Sequence, residues 1–257
     1  MDYIQGERFR ELSDNHKIYY CDTHDVNNFF NTINFTHDFI LISHNSDGKI
    51  TDNPTREFDA DSKKIPKNLK KWYGQNVCVS DERIISLPIG LENSMWFIEI
   101  GKINQMIEKS KTEKNIKNFL YVNHNISTNP QERTEPYQLF QNKNFVKCVS
   151  GFNGMDFTSY LDDIYNHDFV LCPEGNGTDT HRTWECLYLG SIPIEKRNIN
   201  NSFYSDLPIC FVDRWDEINE DFLKKEYDRI KSTNFNLDKL NFNYWKKTIT
   251  DEIRNFN

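Results

Sequence analysis

No two cysteines of this 257-residue chain are spaced as CxxC. The six, Cys21, Cys78, Cys148, Cys172, Cys186 and Cys210, lie with one exception in apolar, strand-like runs. Free buried thiols in a reducing compartment are therefore expected, not a disulfide framework. Long basic runs are missing too. The formal net charge is −8 with both signs interspersed, which argues against nucleic-acid binding. No stretch nears the roughly 20 apolar residues of a membrane helix. The first residues, MDYIQGERFRE, do not read as a signal peptide, so a soluble, cytoplasmic protein is expected. No GxGxxG follows the first strand-like run, which removes the fingerprint of a Rossmann oxidoreductase. HExxH is absent. His181 and Glu185 have a zinc-like i,i+4 spacing but no clear third ligand, so no metal site is expected. The pair Asp162-Asp163 falls inside a predicted helix as a solvated face, not as the DxD of a metal-dependent transferase.

What is present is concentrated in residues 169–196, FVLCPEGNGTDTHRTWECLYLGSIPIEK. Phe169–Cys172 is short and apolar enough to be a buried strand. A polar turn with two glycines follows, from Pro173 to Gly177. A helix then opens near Asp179 or Thr180, either of which can cap it. Gly190 suits its end, and Ile192–Ile194 reads as a second strand. Strand, glycine turn and helix N-terminus aim amide N–H groups and the helix dipole at one point, the arrangement that holds a phosphate. Glu174, Gly175, Asn176, Gly177, Asp179, His181, Arg182 and Glu185 all belong to this stretch. Arg182 and His181 add positive charge in the first turn. Glu185, one turn later on the face of His181, suits a ribose. The competing reading has Asp179 as a cap, the other polar groups solvated, and Trp184, Leu187 and Tyr188 packing the helix.

Strands and helices alternate in two series, the pattern of parallel α/β units. In the first, strands are expected at 17–21, 38–43, 77–80 and 84–88, helices at 26–33 and 65–73, and a mobile polar loop at 49–64. A helix from Trp96 to about residue 109 and the charged linker KSKTEKN lead into the second series. There the strands are 119–122, 145–150 and 209–212 besides those of the motif. The helices are 131–140, 157–167, 216–231 and 237–256. Two doubly wound halves place a ligand cleft between them, at the carboxyl ends of the strands. The expected division is a first domain over 1–110 and a second over 111–257. Two clusters follow strand ends. In Ser43–Asp47, His44 or Asp47 can take a proton from a hydroxyl, with Asn45 and Ser46 beside them. A plain turn is the alternative. Asn123, Asn125 and Arg133 suit phosphate or base, or else form a capped turn. Trp72, Trp96 and Trp184 read as core, and Trp96, at the junction of the halves, also suits a sugar.

The stretch PEGNGTDTHRTWECLYLGSIPIEK resembles the C-terminal signature of the exostosin-like glycosyltransferases, family forty-seven, and most of all their short soluble members from large DNA viruses and bacteria. FILISHNSD (39–47), NLKKWYGQNV (68–77), LPIGLENSMW (87–96) and FLYVNHNISTNPQER (119–133) carry the resemblance along most of the chain. It implies a GT-B fold, two Rossmann-like domains facing across a cleft, with the last helix crossing back onto the first domain. It implies an inverting transferase that moves a sugar from a nucleotide sugar, most often a UDP-sugar, to a glycan acceptor, with no metal or other cofactor required. On that reading residues 174–185 bind the nucleotide and its diphosphate. Arg182 neutralises the leaving group, Glu185 holds the ribose, and Asn123, Asn125 and Arg133 complete the donor pocket. Asp47 or His44 activates the acceptor hydroxyl, and Asn45, Ser46 and Trp96 face the acceptor. The alternative is a non-catalytic nucleotide-sugar-binding partner in a glycan-assembly complex, which needs no base at 43–47.

Overall fold

A computed structural model describes residues 2–14, 16–94, 104, 108, 111, 113–116, 118–151 and 155–255. Trp96 lies outside these residues, as does most of the helix expected after it. The first series comprises β1 (Ile18–Asp22), α1 (Val26–Thr32), β2 (Phe39–His44), the two-residue strands β3 (Ile50–Thr51) and β4 (Ala60–Asp61), β5 (Leu69–Gly74) and β6 (Ile84–Ser86). β1, β2, β5 and β6 make one parallel sheet in that order. The second series is β7 (Asn118–His124), α2 (Pro130–Phe140), β8 (Val146–Ser150), α3 (Phe157–Tyr165), β9 (His167–Leu171), α4 (His181–Leu189), β10 (Ile192–Lys196), α5 (Ile199–Ser202) and β11 (Cys210–Val212). Two helices close the chain, α6 (Glu220–Ser232) and α7 (Phe242–Glu252). The second sheet is also parallel, ordered β11-β10-β9-β7-β8. The protein is thus α/β, and no helix among the described residues is long and apolar enough to cross a membrane.

Both sheets are covered on two faces, so their central strands are apolar runs instead of alternating patterns. Side chains still alternate between cores. Ile40 and Ile42 join a large cluster that also takes in Tyr73, Tyr121, Val170 and Trp184, while Phe39 and Leu41 face a separate cluster behind the first sheet. Leu120, Val122, Phe169 and Leu171 face a third cluster behind the second sheet. The large cluster therefore runs through both series and includes Phe242, Trp245 and Ile249 of α7. The amide of Phe242 donates to the Asp2 carbonyl at 2.8 Å, and its ring lies 5.3 Å from that of Phe9, so the end of the chain packs on its beginning.

Three expectations fail, at residues 65–73, at residues 77–80 and at Asp163. Residues 65–73 do not form a helix. Leu69–Gly74 is a strand between β2 and β6, because burial of Leu69, Trp72 and Tyr73 and ladder pairing on both edges outweigh the helix propensity of Leu and Lys. Residues 77–80 are not a strand, and Val77 makes only an isolated bridge to Ile50. Loop 49–64 is built around the buried Asp59, whose carboxylate accepts from the amides of Lys49, Thr55 and Arg56 at 2.9–3.1 Å. Burial pushes that carboxyl up, but these amides outweigh it and hold it below its usual range. Asp163 is not solvated either: it is buried on α3 and paired with Lys147 at 2.5 Å. The six cysteines are all free, three of them fully buried.

Candidate functional site

Between the two series lies a cavity of about 430 Å3. Its walls come from segments that follow strand ends: Asp47 after β2, Ile89 and Glu92 after β6, Thr128 and Arg133 after β7, and Gly175–Arg182 after β9, with Tyr160 of α3 and Glu185 of α4. The N-terminus of α4 opens into it. Thr180 occupies the N-cap position, yet its hydroxyl makes no capping bond. Asp179 does not cap either. Its carboxylate accepts from the Ile89 amide at 2.8 Å and from the Trp184 indole at 2.9 Å, a buried tie to the first series. Burial lifts this carboxyl to about 6. The Thr183 amide donates to the Thr180 carbonyl at 3.1 Å, while the amides of His181 and Arg182 have no acceptor among the described residues, as an anion-binding helix end requires.

Two guanidiniums border the same space. Arg182 donates through Nε to the Tyr160 hydroxyl at 3.1 Å, which donates to Glu185 Oε2 at 2.7 Å. The terminal nitrogens of Arg182 have no hydrogen-bond partner among the described residues. Burial works against its charge, but Tyr160, Cys172 and Glu185 outweigh that and raise its pKa. Arg133 donates to the carbonyls of Glu174 at 2.8 Å and Asn125 at 3.1 Å. Burial, then the neighbouring Arg182, bring it down to about 10. The charge on Arg182 disfavours that on Arg133, and an anionic ligand bordering both guanidiniums would be attracted by each.

Not every expected donor residue faces this space. Asn123 is buried beneath it, donating to the Tyr121 hydroxyl at 2.6 Å. Asn125 caps a short turn, accepting from the Ser127 amide at 3.1 Å. The Glu174 side chain turns away to Asn198 at 3.1 Å and Lys49 at 3.9 Å, leaving only its carbonyl at the site. His181 is committed to the first series. Its Nδ1 donates to the Gly90 carbonyl at 2.8 Å and its Nε2 faces Glu92 at 3.3 Å. Burial lowers its pKa, but Glu92 and the Gly90 carbonyl outweigh burial and raise it. Gly177 is needed for close approach: a Cβ there would stand 2.7 Å from Asn76 Nδ2. The exposed Asn176 contributes its carbonyl, which accepts from Arg56 at 2.8 Å.

The 43–47 cluster divides. His44 is buried, accepts the Asn45 amide at its Nδ1 (2.8 Å) and donates from Nε2 to the Pro88 carbonyl (3.1 Å). Burial lowers its pKa to about 4. With both nitrogens occupied, it has no basic site to offer, which corrects its expected role as base. Asp47 is exposed, its carboxylate has no hydrogen-bond partner among the described residues, and it borders the large cavity and a smaller adjoining one of about 220 Å3. Asn45, at φ +55, and Ser46 line the smaller cavity.

Sequence reasoning missed the residues that hold the two series together here. Asn76, at φ +57, accepts the Asp179 amide at 2.9 Å and donates to the Ser46 carbonyl at 3.1 Å. Arg56 clamps the carbonyls of Asp47 and Asn176, both at 2.8 Å. Tyr160, Glu92 and Gln75 complete the walls. The QN pair after a predicted strand was a usable signal for Gln75 and Asn76 only once residues 69–74 were known to be that strand. Among the described residues no three His, Cys, Asp or Glu side chains gather as a metal site. No protein-family model matches the chain, and a search of curated proteins found no match.

Proposed function

We propose that the chain is an inverting glycosyltransferase of GT-B type, its two Rossmann-like halves holding a nucleotide sugar, a UDP-sugar, in the larger cavity. The observation that carries this reading is the juxtaposition there of an uncapped helix N-terminus, two guanidiniums and, on the opposite wall, an unpartnered Asp47 carboxylate. The donor's diphosphate sits on the first turn of α4. Arg182 and Arg133 neutralise the charge that grows on it as the glycosidic bond breaks, a part taken by a metal ion in other transferases. Glu185, fixed by Tyr160, accepts from the ribose hydroxyls. Asp47 takes the proton of the acceptor hydroxyl while its oxygen bonds to the anomeric carbon from the side opposite the diphosphate. Nucleoside diphosphate leaves with the bond electrons. Closing the halves excludes water from this step.

The test is release of UDP from a panel of UDP-sugars, with and without acceptor sugars, in the presence of EDTA. Acceptor-dependent release is expected, and Arg182→Ala should lower it by about a hundredfold or more, as for the loss of one preorganised electrostatic donor. Near-normal transfer by that variant would overturn the assignment. UDP binding with no release from any donor would leave a nucleotide-sugar-binding module instead.

A further inference from the structure

The smaller cavity takes acceptor oxygens from Gln75, Asp47 and Glu92, beside the amides of Asn45 and Asn93 and the Ser46 hydroxyl. Gln75, which follows β5, is only 2% exposed, and its Oε1 is enclosed with no hydrogen-bond partner among the described residues. Buried amide oxygens are rarely left so, because enclosure removes the water that would otherwise donate to them. Asp47 and Glu92 border the same cavity, and the Glu92 carboxylate accepts the Asn93 amide at 2.9 Å. The bond from His181 outweighs burial and holds the Glu92 carboxyl below its usual range. The one imidazole that can be cationic, His181, is already committed to Glu92 and the Gly90 carbonyl. His44 is neutral, and no Lys or Arg is among the described lining residues. Ile89 supplies an apolar wall. An occupant that brings donors and an apolar face, and no negative charge, therefore suits it best.

Resting on the transferase reading, we propose that this cavity seats one ring of the acceptor and selects a non-anionic sugar. Ring hydroxyls or an ammonium group donate to Gln75 Oε1, Asp47 and Glu92. The C–H face lies on Ile89. Rings bearing carboxylate, sulfate or phosphate are rejected by the Asp47 and Glu92 carboxylates. Because Asp47 borders both cavities, a hydroxyl of the seated ring reaches the base and the donor together.

Binding without catalysis tests this. Saturation-transfer NMR on the full chain with UDP present would compare methyl glycosides of glucose, galactose, mannose, glucosamine and glucuronic acid. At least one neutral or amino glycoside should bind and the glucuronide should not. Gln75→Ala should weaken the bound glycoside about fivefold, the worth of one neutral hydrogen bond. Asp47→Asn combined with Glu92→Gln should admit the glucuronide. Glucuronide binding to the unaltered chain as well as its neutral counterpart, binding by none of the neutral or amino glycosides, or an unchanged affinity in Gln75→Ala overturns the proposal. The wild-type comparison stands even if a variant fails to fold. Calorimetry with UDP separates the two readings: UDP binding with a failed sugar result removes the acceptor inference alone, whereas no UDP binding removes the transferase reading beneath it.

Discussion

His44 and Asp47 stand three residues apart at the end of one strand, yet only Asp47 has a free basic atom. The difference is where their polar atoms go: His44 exchanges bonds with the backbone at Asn45 and Pro88, and Asp47 turns out into the cleft. Asp47→Asn should therefore abolish transfer while UDP affinity by calorimetry stays unchanged, and a variant that still transfers would remove Asp47 as the base. For His44, the drop from an ordinary value near 6.5 to about 4 corresponds to a preference for the neutral ring of about 3 kcal/mol. That stability is whole above pH 6.5 and drains away as pH falls towards 4, because the unfolded chain takes up the proton first. Asp179, lifted to about 6, acts oppositely, its cost being relieved on acidification. The readout is thus a difference. Urea-denaturation stability of the wild type minus that of His44→Gln should shrink between pH 6.5 and 4, and a constant difference would show that His44 is not a buried neutral group.

α4 was legible as an element from its sequence: apolar strand before it, Gly190 at φ +70 behind it, and charged residues in its first turn. What its sequence could not reveal is that the two residues able to cap it do not. Asp179 satisfies the Ile89 amide across the interface instead, a partner 90 positions away. An uncapped N-terminus is a stability cost, and one that a bound anion offsets. Thr180→Asp should supply the missing cap and raise thermal stability by roughly 0.5–2 kcal/mol. On the proposed transferase reading the same carboxylate would take the diphosphate's place, so UDP affinity by calorimetry should fall about tenfold or more, the scale of one charge contact at a helix end. Stabilisation without loss of affinity would move the diphosphate elsewhere. β5 shows the opposite limit. LKKWYG carries no clear period, and a six-residue segment inserted between two strands is decided by its neighbours' edges, not by its own residues.

Over the whole molecule, one apolar cluster passes through both series and is closed by α7. The two sheets are tied by Asp179, His181, Asn76 and Arg56, and also by Asn200, which accepts from the Val77 amide at 3.0 Å and the Ser86 hydroxyl at 2.7 Å. A shared core couples their unfolding. Calorimetry should show one transition, where two resolved transitions would mean that each half is stable alone. Trp245, 3% exposed in that cluster and outside the residues lining the cavities, should on replacement by Ala cost about 3–5 kcal/mol without altering UDP affinity in the folded protein.

The sequence by itself determined the alternation of strands and helices, the parallel α/β class, and the strand-turn-helix at 169–196 with Arg182 at its head. These follow from local periodicity, from glycine at turns and helix ends, and from runs too apolar to be exposed on either face. Only the tertiary structure decided which polar residues are free. Glu174 and His44 carry the same chemical groups as a working site residue, but Asn198 and the Pro88 carbonyl, 24 and 44 positions away, fill their hydrogen bonds. Asp47, Arg182 and Gln75 keep unfilled ones. Whether a side chain has a partner depends on contacts between segments dozens of positions apart, and no local pattern records that.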